Sequence, residues 1–308
     1  MLNTRRSRRL FLYLATMTTI PASTASSITS THRAAVLGSP IDHSLSPVLH
    51  NAGYRSLGLT HWSYDRILCT DKQLPDLIDN ADSTYQGFSV TMPAKFAALE
   101  YASEATPRAL RIGSANTLVA QGMLGGSRII QTLMGVVGAL GELFAEDLTP
   151  LQGEQALVIG AGGTARPAVW ALILSGIRHI TIANRSDRSS EFYPLLEDTD
   201  ASLNFVRLDE DISEFATKAA VTVSTIPAQG SSNLAQQVIH APLLDVIYSP
   251  WPTPLTQAAS AHGTPIVGGH VMLAHQAFTQ FKLFTGEDAP RDVMRSALYQ
   301  ALNIAPEK

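Results

Sequence analysis

The amino-acid sequence predicts an α/β fold in two domains, the second of them a Rossmann-type, dinucleotide-binding unit. Three observations predict it. The chain has 308 residues, enough for two domains at roughly 150 residues each. Short apolar runs of strand character alternate with longer helical stretches, as in a mostly parallel sheet covered by helices. One of those apolar runs ends in a glycine-rich turn, at 160–165, that opens directly into a helix.

The first unit is expected over 34–134. Residues 34–38 form a short buried strand that stops at a glycine. A helix is predicted over 50–57 and a strand with aromatics over 60–67. A further strand covers 86–91, a helix 94–102, and extended chain 115–119, before a glycine-rich loop at 122–127. The second unit, 135–269, opens with a helix over 138–145. An apolar strand at 156–160 leads into the glycine-rich turn, a helix at 167–175 and a strand at 179–183. Strands at 221–226 and 242–247 complete a mononucleotide-binding βαβ series. From 269 to about 302 the chain is helical and rich in Met, Ala and Gln. The segment 270–308 is expected to complete the first unit.

Composition narrows the functional classes. Hydrophobic residues make up 45% and charged residues 16%, which is globular composition with enough apolar material for two cores. A net charge of −4 gives no basic field to attract nucleic acid. No stretch reaches the roughly 20 apolar residues that a membrane span needs. The one cysteine, Cys69, is read as a small buried hydrophobe in a reducing, cytoplasmic setting. No His/Cys/carboxylate cluster has metal-ligand spacing, so no metal is expected. Residues 1–33 stand apart. Arg5, Arg6, Arg8 and Arg9 precede a short apolar run at 10–15 and a stretch rich in Ser, Thr and Ala. The pattern has the look of a secretory or twin-arginine signal. The preferred reading is a disordered tail or a start assigned too early, with Met17 as the alternative start.

The turn carries cofactor chemistry. Gly160, Ala161, Gly162, Gly163, Thr164 and Ala165 read as G-x-G-x-x-A. Small residues permit a tight turn and let backbone N–H groups approach a pyrophosphate at a helix N-terminus. At the end of the next strand, NAD-binding folds usually carry an acid for the ribose hydroxyls. Here Asn184, Arg185 and Ser186 stand instead. An acid would repel a 2′-phosphate, whereas Arg185 can pair with it, so NADP is favoured over NAD.

Three polar clusters mark the first unit. Ser44 and Ser46 flank Leu45, and an extended backbone would point both hydroxyls the same way. Ordinary turn and capping serines are the alternative. Thr91 closes a strand, and Lys95 opens the next helix among apolar neighbours. Desolvation there lowers the pKa of an ammonium and prepares it for proton transfer; a surface lysine is the alternative. Asn116 lies at the next strand.

Together, the segments at 38–47, 87–95, 113–117, 160–165, 183–186, 224–227, 248–255 and 268–277 resemble the shikimate dehydrogenase family, over about 34–302. The resemblance implies a substrate-binding α/β domain, an NADP-binding Rossmann domain, and NADP-dependent interconversion of 3-dehydroshikimate and shikimate in aromatic amino-acid biosynthesis. It implies that Ser44 and Ser46 hold the substrate carboxylate, that Thr91, Asn116 and Gln276 bind ring hydroxyls, and that Lys95 is catalytic. It places Thr225, Ile226, Tyr248, Gly269 and Met272 along the cofactor or substrate cleft. Ser89 and Ser186 stand where the family more often has Asn and Thr. A monomer or homodimer is expected.

One departure is larger. The family carries Asn-Thr-Asp before the interdomain helix, its aspartate pairing with the lysine. Alignment on residues 135–140 puts Ile130, Gln131 and Thr132 there, and no carboxylate occurs from Ala105 to Gly141. Three explanations stand. Shifting one permitted codon choice for 129–134 by two bases reads Asn-Thr-Asp-Val-Asp, which fits a short compensated frameshift over 121–134. The others are a non-catalytic, ligand-binding paralogue and a different proton-transfer arrangement. An NAD-dependent quinate/shikimate dehydrogenase is a rival that Arg185 argues against.

Overall fold

The computed structural model describes residues 31–120, 127–130 and 134–304. Among them, two six-stranded sheets organise the chain. The first runs in the order β2-β1-β3-β5-β6-β4. Its strands are β1 (His32–Gly38), β2 (Trp62–Leu68), β3 (Tyr85–Val90), β4 (Glu104–Ala105), β5 (Thr117–Ala120) and β6 (Ser127–Ile130). Between them come helices α1 (Ser46–Ser56), α2 (Leu74–Asp79), α3 (Lys95–Tyr101) and α4 (Pro107–Ile112). β1 pairs in parallel with β2 and β3, while β5 is antiparallel to both β3 and β6.

Helix α5 (Met134–Leu143) leads into the second sheet. That sheet is parallel throughout, in the order β12-β11-β10-β7-β8-β9. Its elements are β7 (Gln155–Ile159), α6 (Ala165–Leu174), β8 (His179–Asn184), β9 (Ser202–Arg207), α7 (Ser213–Lys218), β10 (Val221–Ser224), α8 (Ala235–Val238), β11 (Leu243–Asp245), α9 (Pro254–His262) and β12 (Ile266–Gly268). The chain then returns through α10 (Gly269–Thr285) and α11 (Arg291–Leu302) to cover the first sheet.

Side-chain alternation explains the layering. Ala34 and Val36 of β1 join one apolar cluster, with Leu273, Phe281 and Leu298 from the returning helices. Ala35 and Leu37 join another, with Phe88, Ala98 and Leu118. Successive strand residues point to opposite faces, so a strand covered on both sides reads as a continuous apolar run. β7 repeats the pattern. Ala156 and Val158 meet residues of α5 and α6, whereas Leu157 and Ile159 meet those of α7, α8 and α9. Local signals set several helix ends. Thr253, just before Pro254, and Thr256, inside the first turn, form a reciprocal capping box, and Gly263 closes α9 at φ 79°. α5 is braced against the returning helices by Glu142, whose carboxylate accepts from His275 at 2.6 Å and Arg295 at 2.5 Å.

Several boundaries differ from the sequence expectation. β1 starts at His32 rather than Ala34, because Arg33 pairs with Asp65 and Asp82 and His32 stacks on Trp62. Residues 32 and 33 therefore belong to the sheet, not to the tail; residues 1–30 lie outside the described residues. Ser127, expected in a loop, starts β6, and 121–126 lie outside the described residues. The helix expected to reach 145 stops at Leu143, and Ala145 takes φ 50°. α2, β4, α4, β9, α7, α8, α9 and β12 went unpredicted, since short half-polar segments show weak periodicity.

Candidate active site

A cleft of about 540 Å³ opens between the two sheets. It lies off the carboxyl ends of parallel strands, where open α/β sheets bind ligands. Each wall is built from segments that leave those ends. On the first sheet, Ser44 and Ser46 lead into α1, Thr91 follows β3, and Lys95 is the first residue of α3. On the second, 160–164 follow β7, Asn184 ends β8 and 185–186 follow it, Thr225 and Ile226 follow β10, and Tyr248 follows β11. Met272 and Gln276, one turn apart on α10, close the floor. His43, Ser89 and Arg188 also line the cleft.

Its electrostatics point to anionic ligands. Lys95, Arg185 and Arg188 are present, and no Asp or Glu occurs among the described lining residues. Lys95 has no carboxylate in ion-pair range among the described residues. Desolvation holds its ammonium below the ordinary lysine value. Burial pushes the Tyr248 phenol up, against a smaller opposing pull from Arg66. Ser44 and Ser46 are buried, with their hydroxyls 3.4 Å apart. They converge through a turn rather than an extended backbone, for Leu45 sits at φ −96°, ψ 2°. Ser44 Oγ also accepts from the backbone N–H of Ser46, the first residue of α1, at 3.4 Å.

The glycine-rich turn has the geometry a dinucleotide needs. Gly160 takes φ 97°, and a Cβ there would lie 2.5 Å from the Thr225 hydroxyl. Any other residue would be strained and would clash. At Gly162 and Gly163 a Cβ would meet nothing within 4 Å. That room lets a phosphate approach the backbone before the ten-residue helix α6. Beyond it, Arg185 is exposed, and Arg188 is gripped by Glu191 at 2.5 and 2.8 Å. Glu191 also accepts from Arg166 at 2.5 Å. The residues present therefore fit an adenosine 2′-phosphate.

Residues 36–118 match the shikimate dehydrogenase substrate binding domain, 142–241 the shikimate/quinate 5-dehydrogenase model, and 269–299 the shikimate 5′-dehydrogenase C-terminal domain. The chain is 32% identical over 286 residues to the NADP⁺ shikimate dehydrogenase of Methanothermobacter thermautotrophicus, covering 89% of this chain and 98% of that protein. The chain belongs to the shikimate dehydrogenase family. It is also 33% identical over 273 residues to the pentafunctional AROM polypeptide of Saccharomyces cerevisiae, of which it spans 17%. Among solved structures, shikimate dehydrogenase of Mycobacterium tuberculosis shares 42% identity at TM-score 0.79, covering 87% of this chain and 99% of that one. A shikimate 5-dehydrogenase from Thermus thermophilus, solved with NADP(H) and shikimate, shares 29% identity at TM-score 0.71, covering 88% of this chain and 100% of that one.

Against this family background, three expected site residues sit behind the wall rather than on it. Asn116 is buried and donates its amide to Gln276 at 3.4 Å. Ala165 is buried as the first residue of α6. Gly269 is a packing glycine, since a Cβ there would strike the Val246 carbonyl. Ile130 belongs to β6, and Gln131 and Thr132 lie outside the described residues. Arg188 was missed by sequence reasoning, although its basic character three residues after Arg185 was the available signal. Ser89 was noticed only as a departure.

Proposed function

We propose that this shikimate dehydrogenase family member reduces 3-dehydroshikimate to shikimate reversibly, with NADP(H) as cofactor. The observation that carries the reading is the cleft itself. Buried serine hydroxyls and a desolvated lysine on one wall face an open glycine turn and two arginines on the other.

The division of labour follows the two sheets. The first sheet, with α10 and α11, is the substrate domain; the second, over 135–269, is the NADP-binding domain. Ser44 and Ser46 hold the substrate carboxylate. Thr91, Asn116 and Gln276 receive the ring hydroxyls, with Asn116 reaching the ligand alongside Gln276. The N–H groups of residues 161–164 take the pyrophosphate, with Gly160 and Ala165 shaping the turn through their own bonds to Ala183 and Gly162, and Asn184, Arg185 and Ser186 take the 2′-phosphate. Arg188 joins them. Thr225, Ile226, Tyr248 and Met272 border the junction between the two ligands, and Gly269 lets the chain pass close beneath them. Bound NADP(H) supplies the hydride chemistry.

In reduction, Lys95 gives a proton to the ketone oxygen and stabilises the developing alkoxide. A lowered ammonium pKa makes that proton easier to give, and leaves more neutral amine to accept it in the reverse direction. The departure at Ile130, Gln131 and Thr132 removes the carboxylate that would pair with Lys95 and relay the proton, and it favours a second reading, a ligand-binding paralogue without turnover. No helix among the described residues is long and apolar enough to cross a membrane; we place the chain in the cytoplasm, as a monomer or homodimer.

Mixing the protein with shikimate and NADP, and following reduced nicotinamide by absorbance, tests the assignment. Shikimate-dependent NADPH formation supports it. Binding of both ligands with no turnover selects the paralogue, and binding of neither overturns both readings.

A further inference from the structure

Behind Ser89 stands a residue that neither wall of the cleft includes. Tyr64, on β2, is fully buried at 1% exposure. Its phenol donates to Ser89 Oγ at 2.6 Å. β1 lies between β2 and β3 in the sheet, so the phenol reaches across one strand to arrive at the cleft. Its approach is tightly held. The Asn51 side chain clamps the Tyr64 backbone from both sides, donating to its carbonyl at 2.8 Å and accepting from its N–H at 3.0 Å. The His50 ring stacks on the tyrosine ring, with centroids 4.0 Å apart at 10°. His50 and Ser46 are four residues apart on α1, so they share one helix face. The helix that presents Ser46 to the cleft thus also fixes the ring behind it.

We propose that Tyr64 is a positioning residue for substrate, and that it makes Ser89 a third hydroxyl of the carboxylate pocket beside Ser44 and Ser46. A serine hydroxyl has one proton to donate and accepts through its lone pairs. Ser89 Oγ accepts from Tyr64, so its own proton is free to point elsewhere, and the cleft is the open direction. An anion in the cleft needs donors, and this arrangement turns Ser89 into one. Tyr64 stays protonated as required, because burial raises its phenol well above the ordinary tyrosine value. Ser89 itself is 2% exposed yet lines the cleft.

This inference rests on the proposed reading of the site, and its test separates the two. Shikimate binding is measured by calorimetry without turnover, for the unmodified protein, Tyr64→Phe, Ser89→Ala and the double variant. Tyr64→Phe removes one oxygen and keeps the ring stacked. It is expected to weaken shikimate about 3- to 10-fold, the range for one hydrogen bond, and to leave NADP affinity unchanged. Ser89→Ala is expected to do the same, and the double variant to lose no more than the worse single change. The methyl ester of shikimate, which lacks the anion, is expected to bind all four proteins with equal, weak affinity. Equal shikimate affinity in Tyr64→Phe and the unmodified protein would overturn the role of Tyr64 alone, as would an equal loss for acid and ester. An unmodified protein that binds no shikimate would overturn the site reading, and this inference with it.

Discussion

The two walls of the cleft are built to different rules. The cofactor wall is local and sterically strict. Gly160 admits no side chain, Gly162 and Gly163 leave open room, and Arg185 lies one strand away. The substrate wall is gathered from residues between 44 and 276 and depends on buried support behind it, Tyr64, His50 and Asn51 among them. A wall set by backbone geometry tolerates change elsewhere in the chain. A wall assembled from distant side chains can lose a reaction while keeping its shape.

The largest expected effect strikes the substrate wall. The triple change Ile130→Asn, Gln131→Thr and Thr132→Asp restores a carboxylate partner for Lys95. General acid–base assistance is worth about 100- to 10,000-fold, and the shikimate oxidation rate is expected to rise within that range. Adding Lys95→Ala should abolish it again, with NADP affinity unchanged throughout. A triple variant no faster than the unmodified protein would mean that another group carries the proton.

The next effect strikes the other wall. Arg185→Ala should weaken NADP on the order of 10- to 100-fold, the loss of a charge-assisted contact, and barely change NAD. Equal losses for both cofactors would show that Arg185 does not read the 2′-phosphate. Since Arg188 is tied to Glu191, it cannot fully replace the missing guanidinium.

A smaller effect sharpens the contrast through stability. His50 is fully buried with neither ring nitrogen partnered among the described residues, and burial pushes its pKa from 6.5 down to about 3. Between those values the unfolded chain binds a proton that the folded chain refuses. Stability therefore falls as pH drops from 6.5 toward 3, by at most about 1.4 kcal/mol per pH unit, and is insensitive to this group above 6.5. His50→Leu should flatten that part of the acid-denaturation curve. An unchanged slope would show that other groups set it.

The smallest effect is expected at the amino terminus. A chain beginning at Thr31 keeps all of β1 and should match the full chain in melting temperature and ligand affinity. A clear loss would show that the preceding residues join the fold.

How much of this was legible in the sequence follows the same division. The glycine turn, the arginine after β8 and the buried strands 34–38 and 156–160 were readable because their causes are local: a forced φ, an alternating pleat, a small-residue turn. The convergence of Ser44 and Ser46 was anticipated for the wrong reason, through an extended backbone that is in fact a turn. Tyr64 carried no motif at all. It looks like any strand aromatic, and its role exists only because the sheet order sets β2 beside β1 and within reach of Ser89. Gly269 was placed in the cleft although it serves close packing on Val246, a distinction that needs three dimensions.

The central claim is that both walls still bind while proton transfer is impaired. One side-by-side titration of the unmodified protein with NADP, NAD and shikimate tests it, paired with a turnover assay on the same sample. The account predicts NADP bound more tightly than NAD, shikimate bound, and turnover roughly 100-fold or more below that of the triple variant. Failure to bind shikimate, or turnover equal to the triple variant, would contradict it.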